Sequence, residues 1–302
     1  MITDTAAAAF EAQRARLRRL AYRMLGTLAE AEDVVQDAWL RFAGAKGEIA
    51  DPAAWLVRAT SRLCLDRLRA AKAERAAYRG PWLPEPLVEA YEAADPVERA
   101  EEVSVAFLLA LERLSPLERA VFLLREAFDE DYAAIAQTLG RGEAAVRQLA
   151  ARAKAHVREA QPRYRVDKGQ AERLTGAFLA AAGSGDAEAL RALLAEDAVM
   201  ISDGGGKRVA ALRVLAGRED VIRLYRGVAW RRGAEPPAPR AVWTVRINGL
   251  PGVVIDLGED LNTIALEPDA DGRIAAIYRI SNPDKLAHVR ELMRGWDEET
   301  PL

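Results

Sequence analysis

Apolar residues recur at helical spacing from Phe10 to Lys72, in a stretch dominated by Ala, Leu, Arg and Glu with few breakers, and three helices are expected there. Gly26 ends the first. Thr27 followed three residues on by Glu30 predicts a capping box for the second, and Asp51 with Pro52 supplies an N-cap and first-turn pair for the third. The segment Gly80-Pro81-Trp82-Leu83-Pro84-Glu85-Pro86 cannot be helical and is expected to run extended. Helical periodicity resumes from about Glu98 to Glu159, broken at Ser115-Pro116 and between Gly140 and Gly142. Past Pro162 the period changes: Ala198 to Ser202, Arg240 to Ile247, Val253 to Leu257, Thr263 to Leu266 and Ile274 to Ile280 read as strands among helices. The expected fold class is multidomain, with two all-α domains at 1–74 and 101–162, an extended acidic linker at 75–100, and an α+β domain at 163–302.

Composition narrows the function. A chain of 302 residues that is 50% hydrophobic can bury more than one core. No apolar run approaches the ~18 to 20 residues of a membrane span, and the N-terminus lacks a signal pattern, so a cytoplasmic protein without membrane contact is expected. Cys64 is the only cysteine, and His156 and His288 are isolated, which argues against a disulfide, a cysteine-based zinc site or any other metal. The net charge of −3 conceals strong clustering. Arg58, Arg62, Arg67, Arg69, Lys72 and Arg75 crowd one segment, and Arg141, Arg147, Arg152, Lys154, Arg158, Arg163 and Arg165 another. Between them lie Glu85, Glu89, Glu92, Asp95, Glu98, Glu101 and Glu102. Two basic stations joined by an acidic connector concentrate attraction for a polyanion at two places.

Three helix faces carry candidate chemistry. From Leu28 to Ala43, a turn of about 100° per residue gathers Ala31, Val34, Val35, Ala38, Trp39 and Phe42 on a core stripe. The opposite face holds Glu30, Asp33, Gln36 and Asp37 around Leu40. It is either a solvated face with one exposed leucine or a docking surface, in which acids set the approach rate and Leu40 supplies burial. From Pro52 to Lys72, Trp55, Arg58, Arg62 and Arg69 fall together. Guanidinium groups can hold phosphates and an aromatic can stack on an unpaired base, a combination suited to opened DNA; the alternative is a tryptophan capping the core beside solvated arginines. Asp131 to Arg158 has a helix-turn-helix pattern, with Gly140 as a left-handed stop. On its second helix Val146, Leu149, Ala150, Ala153 and Val157 face inward, while Arg147, Gln148, Ala151, Lys154, Ala155 and Arg158 face out. Arg147 and Gln148 are placed for base edges, and Arg152, Lys154 and Arg158 for phosphate, with Arg141 a further candidate for contact with the same DNA.

Over roughly Phe10 to Glu159 these segments resemble an extracytoplasmic-function sigma factor of the sigma-70 family. Glu32-Asp33-Val34-Val35-Gln36-Asp37-Ala38-Trp39-Leu40 is similar to region 2.2, which implies docking on the β′ clamp helices of core RNA polymerase through the acidic face. Trp55-Leu56 through Leu65-Asp66-Arg67-Leu68-Arg69 is similar to regions 2.3 and 2.4, which implies reading and melting of the −10 element; Arg62 stands where many members carry asparagine. The helix-turn-helix is similar to region 4.2, which implies −35 recognition with contact to the polymerase β flap, and Gly142 replaces the usual Ser or Thr at its N-cap.

The remainder resembles a SnoaL-like domain, a cone-shaped α+β barrel found fused to SigJ-like sigma factors. Three motifs carry that resemblance: Trp82-Leu83-Pro84-Glu85-Pro86, Asp203-Gly204-Gly205-Gly206-Lys207 and Asn282-Pro283-Asp284-Lys285-Leu286. The glycine turn is no phosphate loop, since the earlier glycine is absent and Arg208 follows the lysine where Ser or Thr is required. Asp203 or Asp256 is conceivable as an acid or base, but nothing fixes a catalytic pair, so no catalytic residue, cofactor or enzymatic activity is expected. The expectation is regulatory: Trp82 to Pro86 docks near Asp203 to Lys207 and sets the separation of the DNA-reading domains, which the resemblance implies would replace a separate anti-sigma protein. The barrel is also a possible holder of an unknown small ligand. Two rival readings stand beside this one, a helix-turn-helix regulator with a ligand-binding barrel and a SnoaL-like isomerase or cyclase with a DNA-binding appendage.

Overall fold

The computed structural model describes residues 4–45, 47, 49–89, 103–157, 167–232 and 239–296. The chain divides into two compact units, Met1–Ala77 with Ala106–Gln161, and Tyr78–Val105 with Pro162–Leu302. The segment expected as an extended acidic linker is grouped, from Tyr78 on, with the C-terminal part of the chain. The acids Glu92, Asp95, Glu98, Glu101 and Glu102, and the basic residues Arg158, Arg163 and Arg165, lie outside the described residues.

Among the described residues the first unit is all helical: α1 (Asp4–Leu25), α2 (Leu28–Ala43), α3 (Pro52–Ala70), α4 (Lys72–Ala76), α5 (Val105–Glu112), α6 (Pro116–Glu126), α7 (Tyr132–Leu139) and α8 (Glu143–Val157). The stripe on α2 is buried as expected at Ala31, Val34, Val35, Ala38 and Phe42, while Trp39 is half-buried and packs on Phe10 with ring centroids 4.9 Å apart. Asp51 caps α3 by accepting the Ala54 amide at 3.0 Å. The capping box expected at Thr27 does not form: its hydroxyl donates to Glu30 at 2.6 Å and no side chain caps α2. A full box occurs instead at Ser115 and Glu118, ahead of α6. Cys64 is fully buried, and that burial pushes its thiol pKa far above the ordinary range, so the thiol stays protonated.

Arginine side chains join the helices before Ala77 to those after Ala106. Arg119, only 3% exposed, donates to the carbonyls of Leu111 at 2.8 Å and Met24 at 2.7 Å and pairs with Glu112. Burial lowers its pKa to about 10. Arg75 also pairs with Glu112 and donates to Leu25 O at 2.8 Å. These bonds satisfy carbonyls at the end of α1, where helical partners run out.

The second unit contains α9 (Lys168–Ser184), α10 (Ala187–Leu193), β2 (Leu194–Asp203), β3 (Leu215–Ala216), α11 (Arg218–Arg232), β4 (Ala241–Ile247), β5 (Leu250–Asp256), β6 (Leu261–Pro268), β7 (Ile274–Ile280) and α12 (Ala287–Met293), with β1 (Val88–Glu89) entering from the proline-containing segment. Among the described residues seven strands form one sheet in the order β1-β4-β5-β6-β7-β2-β3. Only β2 and β7 pair in parallel, and the rest are antiparallel. One face buries Met200, Val253, Ile264, Leu266 and Ile277 against Phe178, Leu190 and Ile222 of the helices. Because successive side chains alternate, Trp243, Val254, Thr263 and Ile280 lie in register on the other face in one row with Asp203. That row is buried too, which explains why β6 shows no alternation in its sequence. The five strands expected from the sequence are present, whereas β1 and β3, of two residues each, carry too short a signal to be read.

Candidate functional site

On α2 the acidic face is solvent-facing: Leu40 is 59% exposed, Asp33 and Gln36 are exposed, and Glu30 and Asp37 are half-buried. Arg67 of α3 steadies two of the acids, 3.7 Å from Asp33 and 3.4 Å from Asp37. On α3, Trp55 is half-buried with its ring centroid 5.5 Å from that of Phe42, Arg58 is half-buried, and Arg69 pairs with Asp66 at 3.1 Å. Arg62 is exposed but engaged, donating to Thr138 O at 2.8 Å and Gln137 O at 3.3 Å at the end of α7.

The helix-turn-helix forms as its spacing predicts. Asp131 caps α7 by accepting the Ala134 amide at 2.6 Å, and Gly140 adopts the left-handed conformation that stops it, with φ of 61°. On α8, Val146, Ala150, Ala153 and Val157 are buried, while Arg147, Gln148, Arg152 and Lys154 are exposed, as is Arg141 just before the helix. Arg147 stacks 4.5 Å over the ring of Tyr132 and pairs with Glu143. Lys154 pairs with Glu126 at 3.2 Å, and Arg152 sits 3.7 Å from Glu118. Arg158 lies outside the described residues.

In the second unit the three short motifs meet. Asp203, fully buried at the end of β2, accepts hydrogen bonds from Tyr78 Oη at 2.6 Å, the Leu83 amide at 2.8 Å, the Gly205 amide at 3.0 Å and Lys285 Nζ at 2.7 Å. Lys285, 6% exposed, also donates to Leu83 O and lies 4.1 Å from the centroid of the Trp82 ring. Asn282 donates to Tyr78 Oη at 2.9 Å, and its amide lies so close to Gly205 that a Cβ there would clash with it. With φ of +61° as well, Gly205 has no tolerable substitute. Lys207 pairs with Asp284 at 2.6 Å. Glu85 is buried, with His288 Nδ1 3.5 Å from its carboxylate, and His288 Nε2 donates to Pro86 O at 2.8 Å.

Tyr78 is the member of this cluster that sequence reasoning missed. Burial first, then the hydrogen bond to Asp203, raises its pKa well above the ordinary tyrosine range, so the phenol remains a donor at neutral pH. Its only sequence signal is an aromatic two residues ahead of Gly80-Pro81. Arg119 and His288 were also unassigned, since burial of a charged group leaves no pattern along a chain. Among the described residues no group of His, Cys, Asp or Glu is arranged to hold a metal ion.

The chain matches sigma-70 region 2 over residues 9–74 and sigma-70 region 4 over residues 104–157. It is 39% identical over 290 residues to the ECF RNA polymerase sigma factor SigJ of Mycobacterium tuberculosis, covering 91% of each chain. It is 40% identical over 195 residues to the probable ECF RNA polymerase sigma factor SigI of Mycobacterium tuberculosis, covering 63% of this chain and 67% of that one. The crystal structure of the Mycobacterium tuberculosis extracytoplasmic function sigma factor SigJ aligns with a TM-score of 0.72 at 35% identity, over 93% of this chain and 98% of that one. The chain therefore belongs to the extracytoplasmic-function sigma factors of bacterial RNA polymerase. It is a transcription initiation factor whose partners are core polymerase and promoter DNA, with an α+β domain following the two sigma regions. No helix among the described residues is long and apolar enough to cross a membrane.

Proposed function

We propose that the α+β domain governs this sigma factor in cis by fixing the segment Trp82 to Pro86, and with it the spacing of the two DNA-reading domains. The observation that carries the reading is the buried pair of Asp203 and Lys285, which closes on both main-chain groups of Leu83. An ion pair removed from water is costly unless its remaining hydrogen-bonding capacity is met, and here the segment itself meets it. The domain limits in this reading are 1–74 for region 2, 75–100 for the linker, 101–162 for region 4 and 163–302 for the regulatory domain.

In the same reading Leu40 anchors the polymerase β′ clamp helices, with Glu30, Asp33, Gln36 and Asp37 around it. Trp55, Arg58, Arg62 and Arg69 engage the −10 element, and Arg62 must first leave the carbonyls of Gln137 and Thr138. Arg147 and Gln148 read the −35 element while Arg152, Lys154 and Arg158 hold phosphates, Arg141 contacts the same DNA, and region 4 meets the β flap. The protein works in the cytoplasm, needs no separate anti-sigma factor and catalyses no reaction of its own. The separate basic aromatic helix α3, which a simple repressor does not need, disfavours the rival regulator reading.

Start-site-specific transcription with core polymerase tests the regulatory claim, comparing the full chain, Trp82→Ala and a chain ending at Pro162. The Trp82 ring is half-buried, so its packing contributes about 1 to 2 kcal/mol, enough to shift a two-state arrangement, and both variants are expected to differ from the full chain in output. Equal output and promoter binding from all three would refute it. For −35 reading, Arg147→Ala is expected to weaken cognate binding by about 1 to 3 kcal/mol and relax specificity, whereas Lys154→Ala mainly reduces the salt slope. Equal losses on cognate and scrambled DNA for both variants would contradict the assignment.

A further inference from the structure

Beside the glycine turn lies a cavity of about 350 Å³ that no step of the regulatory reading uses, lined by Arg79, Ser202, Lys207, Arg208, Val209 and Leu212 among others. Its size falls at the lower end of small-molecule sites, which span roughly 300 to 1,000 Å³. Its chemistry is two-sided. Val209 is 87% exposed and Leu212 62%, and with Val214 at 44% they are three of the five large apolar side chains left exposed among the described residues. Apolar area held in water within one short loop is what a ligand with an apolar body would cover.

The other side is cationic. Lys207 is matched by Asp284 and Arg208 by Asp260, and the nearby Asp203 is matched by Lys285. Arg79 is exposed, packs its stem over Gly206, and forms no ion pair among the described residues. One uncompensated positive charge therefore remains at the cavity. Ser202 supplies a second, independent sign: it is 1% exposed, lines the cavity, and its Oγ has no hydrogen-bond partner among the described residues. A hydroxyl kept from water without a partner costs about 1 to 3 kcal/mol unless something else bonds it.

We infer that this cavity is a binding site for a small organic monoanion with an apolar body, such as a medium-chain carboxylic acid. Arg79 binds the anionic head, Ser202 donates to it, and Val209 and Leu212 cover the body. A doubly charged phosphate suits the site less well, because only one of its three cations is unmatched. The inference goes beyond cis regulation and stands without it, since binding is read directly.

Octanoate is the probe, titrated into the full chain while the methyl resonances of Val209 and Leu212 are followed. Saturable shifts at both are expected. Arg79→Gln is expected to weaken binding about tenfold, the size of one charge-assisted hydrogen bond, and Ser202→Ala to weaken it by a smaller factor without unfolding the sheet. Octanol, which has the body without the charge, and inorganic phosphate, which has the charge without the body, are each expected to bind far more weakly. Non-saturating shifts, or octanoate affinity unchanged in Arg79→Gln, would overturn the inference. So would octanol or phosphate binding as tightly as octanoate.

Discussion

Lys285→Met is expected to destabilise the second unit by about 3 to 5 kcal/mol, the cost of leaving one member of a buried ion pair uncompensated. Methionine keeps much of the volume, so the loss isolates the charge and its bonds to Asp203 and Leu83 O. Asp203 retains three donors in that variant, from Tyr78, Leu83 and Gly205, which places the loss toward the lower end of the range. Urea unfolding of the full chain measures it, and amide exchange at Leu83 shows whether the covering segment is released with it. Adding Asp203→Asn to Lys285→Met removes the orphaned charge and is expected to recover part of the loss, because contacting residues are not additive. A change below about 1 kcal/mol for the single variant, within the ordinary range of surface pairs, would show that the pair does not hold the segment.

Leu40→Asp is expected to weaken binding to core polymerase by about 2 kcal/mol or more, roughly thirtyfold, as truncation of a central interface anchor does. Its exposure of 59% means that the fold of the first unit does not depend on it, so circular dichroism should be unchanged. The acids around it should behave differently. Asp33→Ala, at a position whose side chain is 65% exposed, is expected to slow association and reduce its salt dependence with little effect on dissociation. Core binding by Leu40→Asp equal to that of the unchanged chain would assign this face to solvent.

The parts of the molecule that could be read in advance share a physical property: their information is local. The stripe of Val34, Val35, Ala38 and Phe42, the stop at Gly140, and the inward set of Val146, Ala150 and Ala153 each follow from periodicity or a backbone requirement. The Thr27 box failed because its hydroxyl found the Glu30 carboxylate before the backbone did. Strand β6 was legible only over its middle, since burial on both faces erases alternation. The meeting of Trp82 to Pro86 with Asp203 to Lys207 could be anticipated from motifs alone, but its chemistry could not. Nothing along the chain distinguishes Lys285, nearly dry, from Lys207, which lies at the surface. Tyr78 and Arg119 acquire their roles from partners more than 90 residues away.

The closure on Leu83 has a consequence for the order in which the protein matures. Leu83 is 120 residues from Asp203 and 202 from Lys285, and chains emerge from the ribosome with the N-terminal part first. Both helical sigma regions are synthesised long before the residues that grip the segment between them. The grip on Leu83 therefore closes only after Lys285 has been made, and until then Trp82 to Pro86 lacks the two side chains that hold it.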